Sequence, residues 1–527
     1  MNSDAPKRRR LLWLFKGPWW WRAWLGLMGI IVLVSAFYAE EDWRGQHSWD
    51  TYRKSMEAAG ISLDLQTYTP KPVPDDENFA MSPIPKKWMN SLSLPLTNDL
   101  YSRASDYVWA TNSSKNAGHR HFEDLVAWQQ AFAALKNGSL NQNGASPKTK
   151  PQFWSLKFDL ASRAQAAPSV LEGMKPDEAE FAELRQASTL PYSRFPIIYR
   201  MDDPAQTLLP HLAKVKQVCQ HLHLQTCAEL ASGQTDKALA DVKLSLYLTD
   251  SVKTEPFLIS FLVQSACFQI VTQSVWEGLA ERRWTDAQLQ ELETSFGRYD
   301  FLREGWDALT SERAFGIREI DVVRKRGLGS IEDMVYGQDD PARKAFLNVL
   351  GEAMPEGWFD LEKVNYCNLY DEQITRDLNP AEKRVFPTQL SSNDVDFALS
   401  FAPGSFAPGA ILRHKLFAPW LNIERTFPDK IAIPQTVANQ AAIACALERY
   451  RLAKGQFPET LFSLTPQFIE RVPTDVITGE PYKYRRTAGG QFVLYSVGWN
   501  GKDDGGVPGK RLFDESEGDW VWEYPVQ

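Results

Sequence analysis

The chain opens on one uninterrupted apolar run and then settles into helical spacing. Ala23 to Ala39 holds seventeen residues without a charge. As a helix this run rises roughly 25 Å, slightly less than a hydrocarbon core of ~30 Å. Trp19, Trp20 and Trp21 precede it and Tyr38 and Trp43 mark its far side; such aromatics lengthen a span as interfacial anchors, with Arg22 reaching toward the head groups. The pattern predicts a transmembrane helix over 23–39, followed by a short helix over 44–60. The competing reading is a cleaved signal peptide ending at Val34-Ser35-Ala36; the long head and the aromatic belts favour a permanent anchor. A second run, Phe257 to Trp276, has twenty residues without a charge. Gln264, Ser265, Gln269, Thr272, Gln273 and Ser274 interrupt it, however, and bare amides are costly in lipid. The expectation there is a buried helix at the centre of a helical domain.

Between these runs the apolar positions recur at helical period. Leu208, Leu212, Val215, Cys219, Leu222, Thr226 and Leu230 form one stripe over 205–232. A turn at Gly233 follows, with Thr235 or Asp236 as N-cap, and then a helix over 237–251 with Ala238, Val242, Leu246 and Thr249 inward. Thr285-Asp286 caps a helix carrying Leu289, Leu292 and Phe296. Upstream, six prolines between Pro70 and Pro95 predict an extended stalk or a strap over a domain surface. Residues 327–430 are rich in Gly, Pro and aromatics, and FAPGSFAPG (401–409) reads as consecutive turns. Near the end a helix over 434–454 stops at Gly455, and two period-two runs around Gly489-Gly490 predict a hairpin.

Charge adds topology. The net charge is −8, of which the first 22 residues carry +5 (Lys7, Arg8, Arg9, Arg10, Lys16 and Arg22 against Asp4), leaving −13 on the rest. Basic residues before the apolar run and Glu40-Glu41-Asp42 after it place the N-terminus in the cytoplasm and the bulk outside, on a single pass through a cell inner membrane. An acidic body is a poor nucleic-acid binder, so the expected partners are membrane lipid, through the N-terminal helix, and an envelope protein. Five cysteines, an odd and sparse set, exclude a disulfide scaffold. Cys219, His223 and Cys227 line up on one helix face, but three ligands in a row spanning ~12 Å do not converge on one ion. That segment is therefore read as packed helix.

Two resemblances follow from particular residues. ELASGQTDKALADVKLSL (229–246) resembles one tetratricopeptide-like helical hairpin, without a 34-residue register around it. ALERYRLAKGQFPET (446–460), the Pro473 to Asp475 loop, GEPYKYR (479–485) and QFVLYSVGWNGKDDGG (491–506) together resemble the globular domain of the major pseudopilin of type II secretion. No prepilin-peptidase signature precedes the anchor, and the anchor is detached from this module, so a filament subunit is not expected. That family binds calcium in its C-terminal loop. The resemblance implies calcium ligands here at Asn500, Asp503, Asp504, Glu517 and Asp519, with a solvated acidic loop as the plainer reading.

The fold class expected is mainly α: an N-terminal transmembrane helix, an irregular α-helical ectodomain, and a C-terminal α+β pseudopilin-like domain of a helix plus a small antiparallel sheet. The expected divisions are a basic head (1–22), the span (23–39), a stalk and Pro-rich linker (40–99), a helical ectodomain (100–430) and the pseudopilin-like domain (431–527). The chain contains no nucleophile elbow, zincin helix, phosphate loop or dinucleotide fingerprint. His119-Arg-His121 beside Glu123 and Asp124 reads as a surface helix start, and Asp339-Asp340 as a turn. No catalytic residue is assigned. The expected role is an envelope interaction or scaffold protein, linked by the resemblance to secretion machinery. The alternatives are an envelope hydrolase using carboxylates that the sequence does not single out, and a calcium-dependent ligand-binding protein.

Overall fold

The computed structural model describes residues 19–89, 99–112, 120–137, 160–331, 341–387 and 427–524. It is mainly helical, 66% helix and 5% strand, with a small antiparallel sheet near the C-terminus. The basic head up to residue 18, His119, Asp339-Asp340 and the FAPGSFAPG turns lie outside the described residues. The chain divides into two compact units: residues 1–64, 314–370 and 391–423 form one, and 65–313, 371–390 and 424–527 the other.

In the first unit, α1 (Trp19–Ala58) is a single helix of 40 residues. The expected span and the short helix after it are thus continuous, since no Gly, Pro or cap interrupts 39–44. Its apolar half has mean hydropathy 1.8 and none of it is buried within the chain, which by length and composition suits a membrane span. Its polar half packs on α13 (Gly357–Gln373). There Asp42 accepts the Gly357 N–H at 2.9 Å, Glu41 accepts the Trp358 indole N–H at 2.8 Å, and the Tyr38 hydroxyl donates to the Ala353 carbonyl at 2.6 Å. Two acids at a helix N-terminus suit its positive end. The backbones meet at Gly45 and Gly357, where a Cβ on Gly45 would land on the Gly357 carbonyl. Gly45→Leu should therefore cost ~1–3 kcal/mol in overpacking. Gly26→Leu, at a position with nothing within 4 Å, should be silent; thermal unfolding of the two variants compares them.

The second unit is built around three consecutive helices, α7 (Pro210–Ala231), α8 (Thr235–Asp250) and α9 (Leu258–Ala280). α7 and α8 turn at Gly233, which sits at φ +75°, in the left-handed region that glycine adopts without strain. The cap differs from expectation: Gln234 occupies the N-cap and makes no side-chain bond to the helix. α9 is the apolar run that the sequence assigned to a buried helix, and 61% of its most apolar stretch is buried. Its polar side chains find partners, as buried groups must: Gln264 donates to Glu304 at 2.8 Å, and Thr272 to the Phe268 carbonyl at 2.8 Å.

On one side α4 (Leu125–Lys136) and α5 (Leu160–Met174) pack against α7, sharing a core of Trp128, Ala131, Phe132, Ala167, Val170, Leu224 and Ala228. On the other, α10 (Asp286–Gly297) and α14 (Phe427–Lys454) close over α9. Thr285 forms the full capping box with Gln288 at the start of α10. α14 starts seven residues before the expected Pro434 and accommodates that proline inside the helix, and Gly455 ends it at φ +79°. The prolines at 70–85 form a strap: Phe79 is fully buried between Trp88 and Tyr247, and Asn78 donates to the Arg194 carbonyl at 2.8 Å.

The predicted hairpin is β3 (Lys483–Arg486) against β4 (Phe492–Ser496), antiparallel, with Tyr484 opposite Leu494. A third strand, β5 (Trp520–Trp522), pairs on the other edge of β4. Its Trp520 and Trp522 are fully buried, and Gln440 on α14 donates to the Trp520 carbonyl at 2.7 Å. Residues 431–524 thus pack within the same unit as α9, whose Trp276 indole donates to the Glu523 carbonyl at 2.5 Å.

Candidate functional site

The strap, the end of α6 (Glu178–Ala187), α8 and the end of α10 enclose a groove of about 930 Å³. Six cationic side chains line it, Lys71, Arg185, Arg194, Lys243, Lys253 and Arg298, against one acid, Asp250. Three cations are already held: Arg185 by Asp241, Lys243 by Glu291 at 2.5 Å, and Arg298 by Asp250 at 2.9 Å. Lys71, Arg194 and Lys253 make no ion pair among the described residues; the Arg194 Nε donates to the Pro70 carbonyl at 3.1 Å, which fixes the guanidinium on the strap. Tyr192 and Tyr247 add aromatic surface. This arrangement attracts anions, because cations in a concave, partly apolar wall focus the field. Hydrolysis by paired carboxylates needs two facing acids, whereas Asp250 stands alone on this wall among the described residues.

Behind the groove, Asp241 on α8 faces Glu229 on α7. Burial, and then the charge of Asp241, push Glu229 up to about 8; burial pushes Asp241 to about 6 against the pull of Arg185.

A second constellation lies where α5, α7 and α9 meet the segment leading into α4. The Arg163 guanidinium, 2% exposed, donates to Glu277, to Glu281 at 2.8 Å and to the Glu123 carbonyl. Glu277, fully buried on α9, also accepts the Glu123 N–H at 2.7 Å. Glu123 accepts the Trp128 indole N–H at 2.6 Å and lies 3.4 Å from His223 Nε2. His223 Nδ1 meets the Ser274 hydroxyl at 2.7 Å, and the Cys227 Sγ sits beside the ring, 3.6 Å from Nδ1 and 3.9 Å from Nε2. His223, Cys227 and Glu277 bring one ligand-type atom each within 4.8 Å of one another, the only such group of His, Cys, Asp and Glu among the described residues. Burial raises the Glu123 carboxyl, but the His223 hydrogen bond and charge and the Trp128 bond outweigh it, holding the group near 2. Burial lowers His223, and the bond and charge of Glu123 with the charge of Glu277 turn the net shift upward. Burial pushes the Cys227 thiol up.

α7 is the packed helix that the sequence predicted. Cys219 stands apart from this group: its thiol lies beside Cys267. His211 and His221 are buried in pairs with Glu255 at 2.6 Å and Asp177 at 2.8 Å. Of the predicted helix start at 119–124, Asp124 caps α4 by accepting the Ala127 N–H at 2.9 Å, but Glu123 turns inward. Sequence reasoning missed Arg163, Glu277 and Glu123 as a set. The signal was available at Glu277, a lone acid closing an apolar run on a helix predicted to be buried, which must have a cation or a proton.

The residues expected to hold calcium lie on one loop cluster around β5. Asp519 is 1% exposed, and its carboxylate accepts the N–H groups of Asp504 at 3.2 Å and Gly506 at 2.6 Å. The Asn500 amide donates to Asp504 at 3.4 Å. Asp503 accepts the Gly505 N–H and the Tyr495 hydroxyl at 3.0 Å each and faces Lys483 at 3.5 Å. Glu517 pairs instead with Lys510 at 3.1 Å. Calcium takes six or more oxygens, and this loop meets its carboxylates with N–H, hydroxyl and ammonium donors of its own.

Comparison with protein-family models, with curated proteins and with solved structures yields no match for this chain.

Proposed function

We propose that the protein is a single-span, membrane-anchored binding protein of the cell envelope, whose body outside the cytoplasm docks an acidic segment of a protein partner. The observation that carries the reading is the groove: six cations against one acid in a chain of net charge −8, with Lys71, Arg194 and Lys253 outside any ion pair among the described residues. The exposed apolar half of α1 and the basic residues before it support the anchor and its orientation. The pseudopilin resemblance at 446–506 supports a place near secretion machinery. Calcium at 500–519 is a separate proposal that rests on that resemblance, and it requires Lys483 and Lys510 to leave Asp503 and Glu517.

The test uses the full-length protein in detergent with a fluorescent poly-glutamate peptide. Binding is expected, weakening with salt, with none for poly-lysine. Neutralising these three cations (Lys71→Gln, Arg194→Gln, Lys253→Gln) removes roughly 0.5–1 kcal/mol each and should weaken binding about 10- to 100-fold. Unchanged affinity in that triple variant would refute docking in the groove.

A further inference from the structure

We propose that Glu123, His223, Cys227 and Glu277 form a zinc site at the junction of α7, α9 and the segment leading into α4. The donor set is one thiolate, one imidazole and two carboxylates, all good zinc ligands. His223 and Cys227 are four apart on α7 and share a face, Glu277 projects from α9, and Glu123 comes from a third segment. The row Cys219–His223–Cys227 cannot converge, but its lower two members converge with Glu277 from α9, and Glu123 faces the His223 Nε2 from a third segment.

The spacing between His223 and Glu123 is that of two metal ligands rather than of a closed ion pair. A tetrahedral zinc with Zn–N and Zn–O of ~2.0 Å and Zn–S of ~2.3 Å sets ligand-to-ligand edges of about 3.4–3.6 Å. The His223 Nε2 lies 3.4 Å from Glu123, while the Cys227 Sγ sits beside the imidazole, 3.6 Å from Nδ1 and 3.9 Å from Nε2, and must swing toward the Nε2 end to complete the site. A charge-assisted N–H to carboxylate bond would close to about 2.7–2.9 Å, as His211 does to Glu255 at 2.6 Å and His221 to Asp177 at 2.8 Å. His211 and His221, fully buried with their carboxylates, close to hydrogen-bond distance, whereas the partly exposed pair of His223 and Glu123, beside a cysteine, stays apart.

The surroundings suit a metal. His223 Nδ1 meets Ser274 Oγ at 2.7 Å, and the Ile270 carbonyl, 3.5 Å from the same hydroxyl, is the acceptor that lets Ser274 receive a proton from Nδ1. With Ser274 donating to Ile270, Nδ1 carries a proton, and loss of the Nε2 proton then leaves that lone pair for zinc. Glu277 keeps Arg163 on one oxygen and the Glu123 N–H on the other, and each oxygen retains a second lone pair. One thiolate and two carboxylates balance the charge of zinc together with Arg163, and Glu281, the second carboxylate on Arg163, is balanced by Arg283 at 3.0 Å, so the site is neutral. On binding, Cys227 gives up its thiol proton and His223 its Nε2 proton, two protons leaving as Zn–S and Zn–N bonds form. Cys227 and Glu277 are fully buried, while the Glu123 and His223 side chains, 27% and 14% exposed, form the entry.

The full-length protein, purified in detergent and dialysed against zinc and then against buffer, should retain one equivalent by elemental analysis. Cobalt in its place should show a thiolate charge-transfer band. Cys227→Ser and His223→Gln should each abolish that band and the retained equivalent, while Cys219→Ala keeps both. Where a variant fails to fold, the wild-type protein answers: zinc should protect Cys227, and not Cys367, from alkylation under partial denaturation. No retained metal in the wild type, or a cobalt band that survives Cys227→Ser, would overturn the site.

Discussion

Replacing Arg163 with methionine lowers the thermal midpoint of the full-length protein by about 6–10 °C. Arg163 is buried with two carboxylates, Glu277 and Glu281, and a backbone carbonyl as partners. Removing it leaves Glu277, fully buried, without its cation. Breaking a buried pair from one side costs ~3–5 kcal/mol, because the remaining charge stays desolvated. At roughly 2 °C per kcal/mol for a unit of this size, that cost becomes a drop of about 6–10 °C. The double variant Arg163→Met with Glu277→Leu removes both charges of that pair and leaves Glu281 on Arg283 at 3.0 Å; a matched apolar pair is often neutral relative to a buried ion pair. It should therefore recover more than half of the loss by circular dichroism melting. A single variant as stable as wild type would show that water reaches this junction.

The junction also shows where sequence pattern stops being informative. α7, α8, α9 and the 483–496 hairpin follow from local periodicity and glycine placement, each visible within about twenty residues. The functional geometry is non-local: Glu123 and His223 are a hundred residues apart in the chain, and Arg163 lies 114 residues from Glu277. No spacing rule links them, so the sequence showed only the His223–Cys227 half of the group. The groove was hidden for the same reason, its cations coming from the strap, the end of α6, α8 and the end of α10. β5 escaped because Trp520-Val521-Trp522 is only three residues long and buried on every position, which erases the alternation by which strands are recognised. Conversely, α14 extended past Pro434 because burial on α9 and α10 outweighs one lost backbone bond.

Stability of the helical unit is greatest near pH 5 and declines steadily toward pH 9. Burial raises Glu304 and Glu312 from 4.5 to about 7, Glu229 to about 8, and Asp241 and Asp429 from 3.8 to about 6. Each of these acids holds its proton more tightly folded than unfolded. Between the unfolded and folded values the native state binds more protons, so stability falls as pH rises through that window, about 4 to 8. The raised imidazole of His223 acts in the same direction. Glu123 and Asp514, held near 2 in the folded protein, act oppositely, but their contribution is complete by about pH 5 and is lost only below it. A tenfold difference in proton affinity between the folded and unfolded chain is worth about 1.4 kcal/mol. With water screening the less buried of these acids as they ionise, the loss from pH 5 to pH 9 is on the order of 5 kcal/mol. Thermal midpoints at pH 5, 7 and 9 measure it. Glu312 accepts the Leu258 N–H at 3.3 Å, and a glutamine can accept the same bond without ionising. Glu312→Gln should therefore match wild type at pH 5 and exceed it at pH 9, flattening the slope. A wild-type midpoint that rises from pH 5 to pH 9 would mean these carboxyls are ionised and solvated in the native state.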